Sequence, residues 1–286
     1  MDDNQVHHIT PGTVELAFGG DVRPMLSVSA ILDELRIHRP LGRGSSNIYR
    51  VKIKVNEQID IVSFRGAELA QQEVNVLKEL EMLTGKELSK VEKIKHNTKM
   101  GFVVTNQRVS ALGLFKCNLK ILPESISTLQ ALEKLHLEEN DLTTLPSSIG
   151  KLTALELLDL MNNSIRTLPE SFTNLRSLKS FMLMGNKIKA FPKPILKLKS
   201  LKCLNLRSNE LRTIPKSIGN LKSLERLDLT DNYLSTLPQS IGNLKSLKAL
   251  GLRGNEIKKY PEALTRLEKR KVLVFKDFWG EFGKET

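Results

Sequence analysis

Residues 132–154 read LEKLHLEENDLTTLPSSIGKLTA, and the pattern of this stretch recurs along the chain. An asparagine recurs every 23 residues from Asn140 to Asn255, and a proline recurs at the same interval from Pro123 to Pro261. A fixed period of this length is typical of a stacked repeat, in which each unit buries its apolar face against the next.

Each repeat combines a strand with an outer turn. Its apolar residues follow the spacing L-x-x-L-x-L-x-x-N-x-L, and the alternation around Leu135 and Leu137 predicts a short strand with one buried face. An amide both donates and accepts, so Asn140 is expected to satisfy backbone groups of its own turn and of the neighbouring repeat. Asn140 ends the strand, Pro146 prevents any further strand after Leu145, and a short helical or irregular turn should follow. The seven repeats begin at Val109, Leu132, Leu155, Leu178, Leu201, Leu224 and Leu247.

This spacing resembles the leucine-rich repeat family over residues 105 to 275. The form IGNLKSLKALGLRGNEIKKYP at residues 241–261 is similar to the 23-residue class of intracellular Ras-associated scaffold proteins and their prokaryotic relatives. The resemblance implies an α/β leucine-rich repeat solenoid, with a curved parallel sheet on its concave face and short helical or irregular turns outside. It also implies a non-enzymatic scaffold that binds a protein partner in signalling, and its finer alternative is a regulator of a small GTPase or phosphatase.

The chain is expected to divide into four parts. Residues 1–65 form an N-terminal region of partly β character and unknown role, and residues 66–108 form a small α+β cap. Seven repeats occupy residues 109–269, and residues 270–286 form a C-terminal cap. In the first cap, the apolar stripe of residues 66–85 predicts an amphipathic helix that ends at Gly85. The segments that flank residues 105–108 predict a hairpin.

Two further groups of elements are expected at the ends. Residues 271–275 predict an eighth strand, because Leu273 and Phe275 lie 23 residues after Leu250 and Leu252. An aromatic cluster is expected to seal this end, and it consists of Phe275, Phe278, Trp279 and Phe282. Before the first cap, strands are predicted at residues 14–18, 48–55 and 59–64, and a short helix at residues 29–37.

The net charge of +12 is concentrated in one half of the chain. Residues 178–286 hold 23 basic and 10 acidic residues. An alternative function is therefore a basic module that binds nucleic acid or an anionic membrane. Aromatic residues for base stacking are scarce between Phe191 and Tyr260, which argues against nucleic acid. Solvated outer lysines are the simpler explanation of the charge, and examples are Lys187, Lys189, Lys193, Lys197 and Lys199.

The cytoplasm is the expected compartment, and a monomer is the expected state. No stretch reaches the roughly 20 apolar residues of a membrane helix, and the start MDDNQVHH lacks the layout of a signal peptide. Cys117 and Cys203 lie four repeats apart, too far for a disulfide. We expect neither nucleic acid nor a membrane to be the main partner.

Several residues that catalysis would require are missing from the sequence. Residues 41–51 resemble the glycine-rich strand–turn–strand of protein kinases, but the third glycine is absent, residues 59–64 contain no lysine, and no D-F-G follows. An enzyme within residues 1–65 stays the third class of function, which nucleotide binding would expose. His136 and Glu138 make only a pair of possible metal ligands. The sequence therefore predicts no metal and no cofactor.

The residues between the strand leucines are expected to point to the concave face. Methionine is common on recognition surfaces, so four side chains form a predicted apolar centre: Leu157, Met161, Met182 and Met184. Glu138 and Glu139 form an acidic edge on one side, and Arg207, Arg226 and Arg253 form an arginine edge on the other. This is the anatomy of a protein interface, although self-association or cover by the N-terminal region is an alternative. The predicted partner-binding residues are His136, Glu138, Leu157, Asp159, Met161, Met182, Met184, Asn205, Arg207, Arg226, Asp228 and Arg253.

Overall fold

The computed structural model describes residues 60–276. The elements predicted at residues 14–18, 29–37 and 48–55 lie outside these residues, as do three aromatic residues of the predicted seal, Phe278, Trp279 and Phe282. Among residues 60–276, no helix has both the length and the apolar character needed to cross a bilayer.

The N-terminal cap begins with a hairpin and a helix. Strands β1 (Ile61–Phe64) and β2 (Ala67–Ala70) pair in antiparallel register, and helix α1 (Gln71–Thr84) follows directly. The predicted helix was therefore wrong at its start, because residues 67–70 pair with β1 instead of joining the helix. Its end is confirmed, since Gly85 has a φ of 64° and donates its N–H to the Glu81 carbonyl at 2.8 Å.

The cap continues into the large sheet. Strand β3 (Ser89–Lys90) runs parallel to β4 (Gly101–Thr105), and β4 pairs antiparallel with β5 (Arg108–Gly113), which confirms the predicted hairpin. The buried carboxylate of Glu73 on α1 accepts bonds from the Arg108 side chain and from the Val109 N–H at 2.7 Å. These two hydrogen bonds hold helix α1 against β5, the first strand of the repeats.

Each following repeat adds one three-residue strand to a ten-stranded sheet that extends from β3 to β12. The repeat strands are parallel, and residues 23 apart stand opposite one another, as Lys134 stands opposite Leu157. A 3₁₀ turn of five residues follows each repeat proline from Pro123 to Pro238, as at Ser147–Lys151, which is the predicted short helical turn. The strands are β6 (Lys134–His136), β7 (Leu157–Asp159), β8 (Ser180–Met182), β9 (Cys203–Asn205), β10 (Arg226–Asp228) and β11 (Ala249–Gly251).

The asparagines form the predicted ladder between repeats. In one rung, Asn186 accepts the N–H of Ile165 at 2.9 Å and donates to the carbonyls of Leu160 at 2.9 Å and Leu183 at 3.1 Å. Each of these carbonyls also receives the amide of a neighbouring rung, Asn163 for Leu160 and Asn209 for Leu183. The side chains therefore satisfy peptide groups that the stacked turns bury.

Successive outer turns touch through their backbones. A Cβ atom placed on Gly150 would lie 2.2 Å from the carbonyl oxygen of Ser171 in the next turn. A glycine is required there because no side chain fits between the two repeats. At Gly242, by contrast, the nearest atom would be the Ala263 Cβ at 3.1 Å.

The C-terminal end departs from the repeat. Helix α2 (Glu262–Lys269) replaces the 3₁₀ turn, and β12 (Leu273–Phe275) pairs parallel with β11, which confirms the eighth strand. The predicted register was wrong by one residue, because Leu273 stands opposite Ala249 and Val274 stands opposite Leu250. The longer helix in place of a turn shifts the strand, and as a result Leu273 is 61% exposed.

Candidate functional site on the concave face

Equivalent residues of neighbouring repeats lie side by side on the concave face, because the strands are parallel and in register. Neighbouring strands are about 4.8 Å apart, so each row is a continuous line of side chains. The middle row is made of the third residue of each strand: His136, Asp159, Met182, Asn205, Asp228 and Gly251. The outer row lies two residues further on: Glu138, Met161, Met184, Arg207, Thr230 and Arg253.

Three residues of the middle row shape the backbone that follows them. The Oδ1 atom of Asp159 accepts the N–H of Met161 at 3.0 Å. Asn205 does the same for Arg207 at 3.0 Å, and Asp228 for Thr230 at 2.9 Å. Asp159, Asn205 and Asp228 were predicted only as partner-binding residues, yet each is buried and holds its own turn. The sequence could have indicated this role, because an Asp or Asn side chain often accepts the N–H of the residue two positions later.

Asp228 is the most enclosed of these three side chains. It is 1% exposed, and its Oδ2 atom has no hydrogen-bond partner among residues 60–276. Burial raises its pKa above the ordinary value of 3.8, and Asp231 adds to the increase while Arg207 opposes it. The folded protein therefore holds this proton more tightly than the unfolded chain, so the contribution of Asp228 to stability falls as the pH rises above that ordinary value.

The four residues of the predicted apolar centre lie on two neighbouring repeats. Leu157 lies on β7 and Met182 on β8, and Met161 and Met184 lie in the outer row of the same two repeats. All four side chains are partly exposed. They lie around the buried Asp159 in the middle of the concave face, since Met182 stands opposite it on the neighbouring strand.

The acidic edge is smaller than predicted. Glu138 is 2% exposed, and its Oε1 lies 2.9 Å from Nδ1 of the buried His136. Glu139 is the accessible acidic residue, and its carboxylate forms an ion pair with Lys116 at 3.2 Å. The negative charge that a partner can reach at this edge therefore comes from Glu139.

The arginine edge is accessible but partly engaged. Arg207 forms an ion pair with Asp231, with Nη2 and Nε each 3.1 Å from Oδ2. Arg226 and Arg253 are exposed. The structure thus brings the predicted arginines to one side of the apolar centre.

A group of three possible metal donors lies beside the apolar centre. His136, Glu138 and Asp159 are all buried, and their ligand atoms lie within 4.8 Å of one another. Two of the three were recognised from the sequence as a pair. Asp159 was not connected with them, because it is 23 residues further along the chain and comes close only through the pairing of β6 with β7.

Some of the charges in the basic repeats are paired. Lys179 binds Glu156, and Glu225 lies between Lys202 and Lys248. A groove away from the strands is lined by four cations, Arg166, Lys187, Lys189 and Lys193, with Phe191, Glu170 and Glu210 among its other residues. The mixture of charges favours the interpretation of these lysines as solvated outer residues.

Family models and solved structures agree with this architecture. A model for a leucine-rich repeat region matches residues 150–233, and a second leucine-rich repeat model matches residues 131–152 and 223–244. No curated protein sequence gives a significant match.

Three similar solved structures share the fold. A leucine-rich repeat protein of Leptospira interrogans is 30% identical, with a TM-score of 0.54 over 72% of this chain and 59% of that chain. The PEPR1–AtPEP1 complex is 27% identical, with a TM-score of 0.56 over 73% of this chain and 31% of that chain. The plant peptide hormone receptor RGFR1, in complex with RGF2, is 26% identical, with a TM-score of 0.51 over 68% of this chain and 31% of that chain. The chain thus spans less than two thirds of the length of each of these proteins.

Proposed function

Because the chain is a leucine-rich repeat protein, we propose that it is an interaction module whose concave face binds a protein partner. The observation that carries this proposal is the apolar centre, formed by Leu157, Met161, Met182 and Met184. These side chains are partly exposed in the middle of the sheet, whereas the leucines on the other face already form the core. Exposed apolar side chains within a polar rim are typical of a recognition site.

The charges around the apolar centre define the chemistry of the partner. The partner should place apolar side chains over Met182 and Met184, a basic group near Glu139 and acidic groups near Arg226 and Arg253. A sheet that is already ordered loses little conformational freedom on binding, which favours affinity. The peptide hormone receptor RGFR1 in complex with RGF2 and the PEPR1–AtPEP1 structure support a peptide or protein as the kind of partner.

The same proposal covers the type of role that the protein plays and its location. The module acts without catalysis, in the cytoplasm, as a scaffold in signalling or as a regulator of a small GTPase or phosphatase. The 23-residue repeat form at residues 241–261 supports this choice. Binding through shape and charge would suffice for such a role, because the enzyme partner would carry the chemistry.

A pull-down from a native lysate of the source organism tests the proposal. The Met161→Glu/Met182→Glu variant places two charges in the apolar centre. The matched control, Asn174→Glu/Ser246→Glu, adds the same charge at exposed positions outside the strands. We expect a protein that copurifies with the wild type and the control, and that is depleted at least tenfold with the first variant. Equal melting temperatures verify that all three proteins are folded.

Two outcomes would contradict this assignment. Equal recovery of every partner with the concave variant would remove the apolar centre as the binding site. A partner lost from all samples between 50 and 200 mM salt would instead be a polyanion, because phosphate contacts weaken steeply with salt over roughly that range. That result would favour the basic repeats as the functional surface.

A further inference from the structure

Three side chains with metal-binding atoms converge at the acidic end of the concave face. His136 ends β6, and Asp159 stands directly opposite it at the end of β7. Glu138 follows His136 by two residues and lies on the same face. The ligand atoms of the three groups are within 4.8 Å of one another, so the register of the strands and the positions of the side chains bring them together.

One atom of this group finds no hydrogen-bond partner within the part of the chain that the structure describes. Glu138 is 2% exposed, and its Oε2 atom is buried without a hydrogen bond to any described residue. Within residues 60–276, the cation partner of this carboxylate is His136 alone, at 2.9 Å, and that group is charged only when protonated. A buried carboxylate oxygen without a partner is costly, and a bound cation would satisfy it.

The donor set selects the kind of cation. One imidazole and two carboxylates suit a first-row transition ion, whereas Mg²⁺ and Ca²⁺ prefer oxygen ligands alone. Zinc binds these donors at about 2.0–2.2 Å, so tetrahedral ligands lie about 3.4 Å apart. The upper bound of 4.8 Å on the present separations exceeds that spacing by an amount that side-chain rotation can close.

We propose that His136, Glu138 and Asp159 form a binding site for one divalent transition-metal ion, with Zn²⁺ as its simplest occupant. Three protein ligands leave at least one position for water, as in open zinc sites. Asp159 stands beside Met182 in the sheet, so the ion would add positive charge next to the apolar centre. The site can be tested on the isolated chain and does not depend on the identity of a partner.

Cobalt titration of the whole chain provides the test. Co²⁺ in a site of low coordination number absorbs visible light, and Zn²⁺ should displace it. We expect one Co²⁺ per chain in the wild type. Asp159→Asn and Glu138→Gln each preserve the size of the side chain, and Asp159→Asn keeps an oxygen that can accept the Met161 N–H. Each substitution should weaken binding at least 10–100-fold, roughly the range that supporting residues around a metal already reach.

The matched control is Asp228→Asn. Asp228 occupies the same row three strands away from Asp159 and is also buried. Its neighbours in the described sheet differ, however, because Asn205 of β9 and Gly251 of β11 stand beside it where Asp159 has a histidine. The Asp228→Asn substitution should therefore leave the cobalt spectrum and the stoichiometry unchanged.

Two results would overturn the proposal. The first is a wild type that gives no saturable visible absorption with Co²⁺. The second is tight binding of Co²⁺, equal to that of the wild type, by Asp159→Asn and Glu138→Gln proteins that circular dichroism shows to be folded. The second result would move the ion to histidines elsewhere in the sequence, such as His7 and His8.

Discussion

Removal of one rung of the asparagine ladder should destabilise the protein much more than removal of an exposed asparagine. The Asn186→Ala substitution deletes the acceptor of the Ile165 N–H and two bonds to the carbonyls of Leu160 and Leu183. The two carbonyls keep the amides of Asn163 and Asn209, respectively. The buried N–H has no such second partner in the ladder.

The magnitude follows from these differences. An orphaned buried N–H costs about 1–3 kcal/mol, and each carbonyl bond lost from a group that keeps another partner costs about 0.5–1 kcal/mol. The expected loss in the free energy of unfolding is therefore about 2–5 kcal/mol. The control is Asn174→Ala, since Asn174 is exposed, and substitutions at such surface positions change stability by less than about 0.5 kcal/mol.

Urea denaturation followed by far-UV circular dichroism measures both variants against the wild type. Hydrogen exchange of the Ile165 amide supplies a local measurement, because this amide should exchange faster in Asn186→Ala before global unfolding occurs. A loss below about 1 kcal/mol, or a loss equal to that of the control, would refute the argument that the amide ladder satisfies the buried turns.

Three other predictions test separate parts of the fold. Gly150→Ala should lower the free energy of unfolding by about 1–3 kcal/mol, because the added Cβ meets the Ser171 carbonyl. The control Gly242→Ala should change the urea midpoint little. Equal midpoints for the two variants would contradict the backbone contact at Gly150. Asp228→Asn should raise the melting temperature at about pH 7, because burial raises the pKa of the native side chain, and this gain should shrink as the pH falls towards 3.8. A gain that does not vary with pH would rule out that cause. Glu73→Ala should lower the free energy of unfolding, measured by urea titration, by about 2–4 kcal/mol, because it removes the buried carboxylate that joins α1 to β5. A loss below about 0.5 kcal/mol would show that these hydrogen bonds contribute little to stability.

Features that repeat along the chain could be predicted from the sequence. The strands, the outer turns and the asparagine ladder depend on contacts between equivalent residues of neighbouring repeats, so one repeat is enough to derive them. The position of the apolar centre followed in the same way, because the register of Leu157 and Met182 fixes the face on which they lie.

Features without a repeat were harder to predict. Residues 67–70 suit both a helix and a strand, and their pairing with β1 decides between the two. Leu273 was aligned with Leu250 because the period was continued through α2, where the chain adds one residue. Both errors arise at the ends of the repeats, where contacts that occur only once replace the contacts between stacked repeats.

The structure distinguishes buried from exposed residues on the concave face, and the sequence pattern could not make this distinction. Asp159 and Asp228 were grouped with exposed charges, although each holds a backbone N–H beneath the surface. The register placed Asp159 next to His136, but the closeness of their ligand atoms depends on side-chain positions. Sequence spacing alone therefore indicated the face of the site and not the roles of its polar residues.

Photo-crosslinking tests the central claim of a concave binding face most directly. Benzoylphenylalanine replaces Met182 in the apolar centre in one protein and Lys197, an exposed residue of an outer turn, in the other. After irradiation in native lysate, the account predicts a discrete adduct at position 182 that Met161→Glu abolishes, and no such adduct at position 197. An adduct at position 197 alone would contradict it and place the partner on the outer turns.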